Sequence, residues 1–269
     1  RLAGGRPSRQ CVPRHGLSID VAERRRLLID SRRLQSADDR CRFVLEDHES
    51  RYLRKVLRLK QGAQVDVIDG QGHLWVARLL DGHQLELCSE IEAPSQTVIS
   101  PRPKLGLAIA LIRRGMDDVM RMACELGVDR LQPLDCQRCV PQAEHRPERW
   151  GSILQEAVEQ CERLWAPELH DVCPCAEWWD TPGPNDLHLI AVARELESPR
   201  LSELLATQAS VDGAIWLSIG PEGGWSVQEL DAAQAAGWIS VSLGDTILRS
   251  STAAVVGVSS LSNWRTLSC

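Results

Sequence analysis

Ile219-Gly220-Pro221-Glu222-Gly223-Gly224-Trp225-Ser226 follows the apolar run Ala214-Ile215-Trp216-Leu217-Ser218 and precedes a stretch of helical texture. A second glycine turn, Leu243-Gly244-Asp245-Thr246-Ile247-Leu248-Arg249, follows another apolar run from Ile239 to Leu243. Two strand–glycine–helix junctions in succession predict a small-molecule site at the carboxyl edge of a parallel sheet. Glycine suits such a site because main chain can approach a ligand where a Cβ would collide. Ser226-Val227-Gln228-Glu229 reads as a capping box that opens the helix after the first turn.

Working outward, Leu105 to Leu111 and Leu187 to Ala193 are further compact apolar runs suited to a parallel sheet. Between the runs, Asp117 to Leu126 puts Val119, Met120, Ala123 and Leu126 on one face and stops at Gly127. Ser152 to Trp165 gathers Ile153, Leu154, Ala157, Val158, Cys161, Leu164 and Trp165 on one stripe, with Glu159 and Arg163 on the polar side. An α/β domain over 104–269 follows from this alternation. Upstream the texture differs. Gly62, Gly70, Gly72 and Gly82 punctuate short alternating runs such as Val65 to Ile68 and Leu74 to Ala77, with Asp69 to Gly72 as a hairpin turn. That pattern predicts a small β-barrel over 23–94, joined by a linker at 95–103 that is rich in proline and serine. Residues 1–22 read as a flexible extension: positions 1–19 carry four arginines and no acid, without the apolar core of a signal peptide.

The chain has 269 residues, enough for a sizeable core, and its 25% charged and 43% apolar content is that of a globular protein. No stretch approaches the roughly eighteen consecutive apolar residues of a membrane span. The net charge of −6 conceals an asymmetry: residues 1–60 hold 16 Lys and Arg against 8 Asp and Glu, and the remainder is strongly acidic. A basic end on an acidic body suits either a polyanion partner or a solvated arginine-rich surface. The ten cysteines make no disulfide or zinc-finger framework; Cys136-x-x-Cys139 and Cys173-x-Cys175 lack second halves at the usual spacing. Free thiols in a reducing, cytoplasmic compartment and no metal are expected.

Rival ligand motifs fail. A P-loop needs Gly-Lys-[Ser/Thr], and none of Lys55, Lys60 and Lys104 follows a glycine. The spacing of a dinucleotide-binding glycine motif is also missing. Instead, the turn G-P-E-G-G-W-S followed by L-G-x-x-I-L-R resembles the carboxyl-terminal half of the bacterial 16S ribosomal RNA uridine-N3 methyltransferases, members of the SPOUT superfamily. Further blocks in the same order carry the resemblance. They are Met116-Asp117 to Glu125-Leu126-Gly127-Val128, then Pro133-Leu134, Gln137-Arg138-Cys139 and Glu156-Ala157-x-x-Gln160-x-x-Arg163. At the amino-terminal side, Val56-Leu57-Arg58-Leu59-Lys60-Gln61-Gly62 matches a segment of the family's PUA-like barrel.

The resemblance implies a small PUA-like β-barrel followed by a SPOUT-type α/β domain with a carboxyl-terminal trefoil knot, assembled as a homodimer. It implies S-adenosylmethionine as methyl donor and N3 of a uridine in 16S rRNA of the small ribosomal subunit as acceptor. Backbone groups of Ile219, Gly220 and Gly224, with Leu243, Gly244, Ile247 and Leu248, would hold the donor. Ile247 and Leu248 can equally be ordinary core residues. Arg249, Arg163 and Arg138 are candidates for clamping phosphate or stabilising a developing anion, the last two having surface pairs such as Glu159–Arg163 as the alternative. Glu222 is a candidate base for the N3 proton, or a structural acid beside a helix terminus. RNA would meet Arg24, Arg25, Arg26, Arg51, Arg54, Lys55, Arg58 and Lys60 through salt-sensitive phosphate contacts. One departure stands out: Ser250-Ser251-Thr252-Ala253 occupies the place of the family's Thr-Glu-Thr-Ala, so an acid is lost at Ser251. The alternatives are a SPOUT enzyme acting on a ribose 2′-hydroxyl or another RNA position, or a non-catalytic RNA-binding or ribosome-assembly protein.

Overall fold

In the computed structural model, residues 24–81, 83–193, 197–208 and 210–268 are described. The extension at 1–22 and the turn at Gly82 lie outside them. The amino-terminal unit runs β1 (Arg26–Leu28), α1 (Ser31–Gln35), β2 (Arg42–Val44) and α2 (Asp47–Arg51), which continues as a π-helical turn over Tyr52–Val56. Then come β3 (Gln64–Ile68), β4 (His73–Leu79), β5 (Gln84–Leu87) and β6 (Gln96–Thr97). The sheet order is β1-β3-β4-β5-β2 with β6 on β4, antiparallel except for the β1–β3 pair. The expected hairpin at Asp69 forms: its carboxylate accepts the N–H of Gln71 at 2.7 Å and that of His73 at 3.1 Å. Part of the expected linker is therefore strand, because Gln96 and Thr97 pair with the start of β4.

The carboxyl-terminal unit is built from β7 (Lys104–Ala110), α3 (Met116–Glu125), β8 (Arg130–Asp135), α4 (Pro147–Gln160), β9 (Glu168–Leu169), β10 (Cys173–Pro174) and α5 (Cys175–Trp178). It continues with β11 (Leu187–Ala191), α6 (Leu201–Thr207), β12 (Ala214–Ile219), α7 (Val227–Ala235), β13 (Ile239–Val241) and α8 (Ser250–Ser268). All strands of this sheet are parallel, in the order β10-β8-β7-β12-β11-β13, with β9 also on β8. A parallel sheet has to be covered on both faces, and the side-chain alternation along β7 shows how. Leu105, Leu107 and Ile109 point into a large aliphatic core shared with α3, α4 and α8. On the other face Ala108 and Ala110 lie in a second core crowded by Trp178, Trp179, Trp216, Trp225 and Trp238. Small residues on the strand make room for these rings, which meet edge to face: Trp178–Trp216 at 4.8 Å and Trp179–Trp238 at 5.2 Å between centroids. At Gly106 a Cβ would stand 2.2 Å from the Trp216 ring. Gly106→Ala is therefore expected to destabilise the fold by about 1–3 kcal/mol, measured by urea unfolding.

The helix predicted over 152–165 begins earlier, at Pro147, and ends at Gln160. Proline supplies the first helical position, and Glu162 at φ 62° breaks the spiral before Leu164. Strand β8 has no counterpart in the expectations because Pro133 sits within it, and proline argues against an interior strand. Pro133 nonetheless lies opposite Ile109.

The two units touch closely. Ile68 and Leu74 of the first contribute to the aliphatic core of the second. The N–H of Leu28 donates to the Glu159 carboxylate at 2.9 Å, and Arg26 pairs with Glu162. Burial there pushes the Glu159 carboxyl up from 4.5 to about 7, against the opposing pull of the Leu28 N–H. The folded chain thus holds this proton more tightly than the unfolded chain does. Its stabilising contribution is complete below pH 4.5 and is lost as pH rises through about 7, at no more than ~1.4 kcal/mol per pH unit. Glu159→Gln keeps an acceptor for Leu28 without titrating. Urea midpoints followed from pH ~4.5 to ~7.5 should show this decline in the parent protein and lose it in the variant.

Candidate functional site

The carboxyl ends of the parallel strands gather five segments at one edge. Strand β7 feeds the loop Leu111–Gly115, β8 feeds Cys136–Cys139, β12 feeds Gly220–Trp225 and β13 feeds Ser242–Arg249, while α8 starts there at Ser250. Only β11 separates β12 from β13, with Ile190 opposite both Ser218 and Ser240. The two glycine turns therefore begin two strand spacings apart, on the order of 10 Å. That span suits a ligand of nucleoside size.

The first turn is held tightly. Gly224 N–H donates to Pro221 O at 2.8 Å, and the Trp225 indole N–H reaches Ala191 O at 2.9 Å across β11. The predicted capping box forms, with Ser226 and Glu229 bonded reciprocally. Arg138 donates to the carbonyls of Gly223 and Trp225 at 3.3 and 2.9 Å, so its guanidinium braces the turn. Glu222 accepts the backbone N–H of Arg113 at 2.8 Å, tying this turn to the loop after β7. That bond gives Glu222 a structural partner different from the helix terminus considered in the sequence.

The second turn is more open. Asp245 pairs with Arg200 at 2.6 Å, and Leu243 packs beside α8 close to Gly257. Ile247 is 64% exposed although apolar, Leu248 is half-buried, and Arg249 is exposed with no ion pair among the described residues. Gly224 at φ 70° and Gly244 at φ 148° have no atom within 4 Å of a notional Cβ. Backbone polar groups beside open space, with an exposed aliphatic side chain at the rim, fit a nucleoside-bearing ligand. Ile219 is buried at the end of β12 beneath them.

Arg163 is not brought to this edge. Its guanidinium donates to the carbonyls of Cys124 and Val128 at 2.8 and 2.7 Å and meets Asp129, whose carboxylate accepts the N–H of Leu105 at the start of β7. It is half-buried at the amino edge of the sheet, not paired with Glu159 on a surface. The basic residues of the first unit divide. Arg24 is bound to Asp66 and Arg26 to Glu162, whereas Arg25, Arg51, Arg54, Lys55, Arg58 and Lys60 are exposed. Arg51 to Lys55 lie on α2 and its π-helical continuation, so one short segment displays several cations.

Residues 100–262 match the family described as the RNA methyltransferase domain, and residues 45–87 match the RNA methyltransferase PUA domain. The chain belongs to the RNA methyltransferase family. A relative from Synechocystis named "Ribosomal RNA small subunit methyltransferase E" is 37% identical over 214 residues, 78% of this chain and 69% of that protein. Among solved structures, a ribosomal RNA small subunit methyltransferase E from Neisseria gonorrhoeae bound to S-adenosyl methionine superposes with a TM-score of 0.75. It is 27% identical and covers 89% of this chain and 97% of its own. A methyltransferase from Legionella pneumophila, solved with SAM, has a TM-score of 0.73 at 25% identity, covering 89% and 96%. The mixed α/β fold with its parallel sheet is that of SPOUT methyltransferases carrying a PUA domain.

Two features of this family member went unread in the sequence. Arg113 and Arg114 are exposed on the loop after β7, at the same edge as Arg249; an Arg-Arg-Gly directly after a buried strand was the available signal. The second is a group of buried sulfur and carboxylate ligand atoms from Cys136, Cys175 and Glu229, all within 4.8 Å of one another. No motif spacing foretells it, because Glu229 comes from α7, far along the chain.

Proposed function

We propose that this protein transfers a methyl group from S-adenosylmethionine to N3 of one uridine in 16S rRNA. The observation that carries the reading is the pair of open glycine turns two strands apart at the carboxyl edge. It is supported by the likeness to a Neisseria gonorrhoeae enzyme solved with that donor. Ile219, Gly220 and Gly224 would hold the donor from one side, and Leu243, Gly244, Ile247 and Leu248 from the other. When bound, the donor supplies an electrophilic methyl group on a sulfonium. The chain's own residues do the rest.

As the N3 proton leaves to solvent water, negative charge spreads onto the flanking carbonyl oxygens of the base. Arg249, exposed at the mouth of the second turn and without an ion pair among the described residues, is positioned to stabilise that charge. Arg138 braces the first turn through Gly223 and Trp225, and Glu222 positions the neighbouring loop through Arg113; both act through backbone. Arg25, Arg54, Lys55, Arg58 and Lys60 would grip phosphates from a PUA-like barrel, with Arg24 committed to Asp66. The reading includes a trefoil knot. After edge strand β13 the chain returns to the sheet centre, where α8 packs on β7 and β12, which supports that part of the reading. The half-buried row of Ala253, Val255 and Val256 on α8 suits a homodimer face. Action on ribosomal RNA and a set of unbridged cysteines suit the cytoplasm.

Nucleoside mass spectrometry of 16S rRNA from a strain lacking the gene tests the reading. Loss of 3-methyluridine, restored by the gene, is expected. Persistence of 3-methyluridine with loss of a ribose-methylated nucleoside would assign another SPOUT specificity, and an unchanged profile would favour a non-catalytic role.

A further inference from the structure

The sulfur atoms left aside by the methyl-transfer reading lie directly under its first glycine turn. Cys136 and Cys139 flank the bend that follows β8, Cys175 opens α5, and Glu229 lies in the first turn of α7. Cys136, Cys175 and Glu229 are each buried, at 5%, 3% and 4% exposure. Their ligand atoms stand within 4.8 Å of one another. Cys139 is tied to the same bend, its sulfur 3.4 Å from the Cys136 backbone nitrogen. Two sulfurs and one carboxylate from three separate elements thus meet in the interior, with the Cys139 sulfur next to Cys136 at the edge of the group.

From this convergence we propose a structural site for a thiophilic divalent ion of the zinc class, bound by Cys136, Cys139, Cys175 and Glu229. Four ligands of sulfur and carboxylate type form the closed, water-free set that such ions take in structural sites. A tetrahedral ion with ~2.3 Å bonds to sulfur and ~2.0–2.2 Å bonds to oxygen requires the Cys136, Cys175 and Glu229 atoms, now within 4.8 Å of one another, to draw inward and the Cys139 thiol to turn toward them. The outer partners are in place. Glu229 accepts the N–H of Gln137 at 2.9 Å and that of Ser226 at 2.7 Å, which orient its carboxylate and leave lone pairs on both oxygens. The sulfur of Cys139 accepts the N–H of Cys136 at 3.4 Å, a bond that favours thiolate. On binding, the three thiols would release their protons to solvent and become thiolates.

Packing a buried carboxylate against thiols gives no stabilisation that a hydrophobic cluster would not exceed. An ion converts the cluster into a staple. It would join the bend after β8, the start of α5 and the start of α7. The same bend carries Arg138, which braces Gly223 and Trp225. Cys173, the residue before Pro174, is half-buried and outside the group; it lies on β10, whereas Cys175 already belongs to α5.

The site is independent of the methyl-transfer reading and is tested without RNA or methyl donor. The full chain, purified under reducing conditions and stripped of metal, is titrated with Co²⁺ and then with Zn²⁺. One equivalent of Co²⁺ per chain should produce thiolate-to-cobalt charge-transfer absorption together with the visible bands of a tetrahedral ion, and Zn²⁺ should abolish both. Cys136→Ser and Cys175→Ser should each weaken Co²⁺ binding at least ~10-fold, while Cys88→Ser, at an exposed position, leaves it unchanged. In the parent protein, Zn²⁺ should protect Cys136, Cys139 and Cys175 from alkylation, read by peptide mass spectrometry, without protecting Cys88. This second readout holds even if a serine variant fails to fold. Absence of the charge-transfer band, equal alkylation with and without Zn²⁺, or a Cys136–Cys139 or Cys136–Cys175 disulfide in protein that takes up no ion would each overturn the proposal.

Discussion

Arg249→Ala is expected to lower kcat for RNA methylation by about 10²- to 10³-fold while leaving the affinity for S-adenosylmethionine within about twofold. The magnitude is that of removing one preorganised donor aimed at charge that develops only in the transition state. The structural grounds are the exposure of Arg249, its lack of an ion pair among the described residues, and its position where the second glycine turn enters α8. An arginine already committed to a carboxylate would have to exchange partners during the reaction; this one does not. Arg249→Lys keeps the charge but loses the planar fork, so it should recover only part of the rate. Single-turnover methylation of 16S rRNA, with donor binding followed separately by calorimetry, distinguishes a lost transition-state contact from a damaged donor site. A fall in donor affinity matching the fall in rate would move Arg249 from chemistry to donor binding.

The second large effect concerns stability. Asp129 is 5% exposed, and its carboxylate meets Arg265 at 2.6 Å, Arg163 at 3.4 Å and Lys104 at 3.9 Å, besides accepting the N–H of Leu105 at 2.9 Å. One carboxylate is therefore shared by three cations drawn from β7, the segment after α4 and the end of α8. Removing it leaves those charges partly buried against one another, a change that costs about 3–5 kcal/mol where a buried pair is broken from one side. Asp129→Ala should lose that amount in urea unfolding. Asp129→Asn should lose less than Asp129→Ala, since an amide oxygen can still receive the Leu105 N–H. Arg163 and Arg265 also donate to the carbonyls of Cys124, Val128, Pro103 and Gly127, which limits how far they can swing out to water.

Arg163 shows where reading the sequence falls short. In a helical register it lies one turn from Glu159 on the polar side, and a surface pair is the natural expectation. The helix ends before it, the backbone turns at Glu162, and the guanidinium is carried inward to Asp129, a partner no local spacing reveals. Glu159 likewise bonds to Leu28, well over a hundred positions away. What was legible were the features encoded locally: apolar runs for β7, β11, β12 and β13, the Ser226–Glu229 cap, the Asp69 turn and the glycine turns. Strand β8 was hidden by Pro133. The Cys136, Cys175 and Glu229 group was hidden by topology, because the sheet order that unites those segments is not written in their spacing.

In the proposed function, the turns at 219–224 and 243–248 form one cradle for the methyl donor. A crystal of the full chain soaked with S-adenosylhomocysteine, the demethylated product, tests it most directly. The adenosyl group is expected between the backbones of these two turns, against Ile247 and Leu248, with Arg249 at the mouth. The compound seated elsewhere, or bound at one turn with no contact to the other, would contradict it.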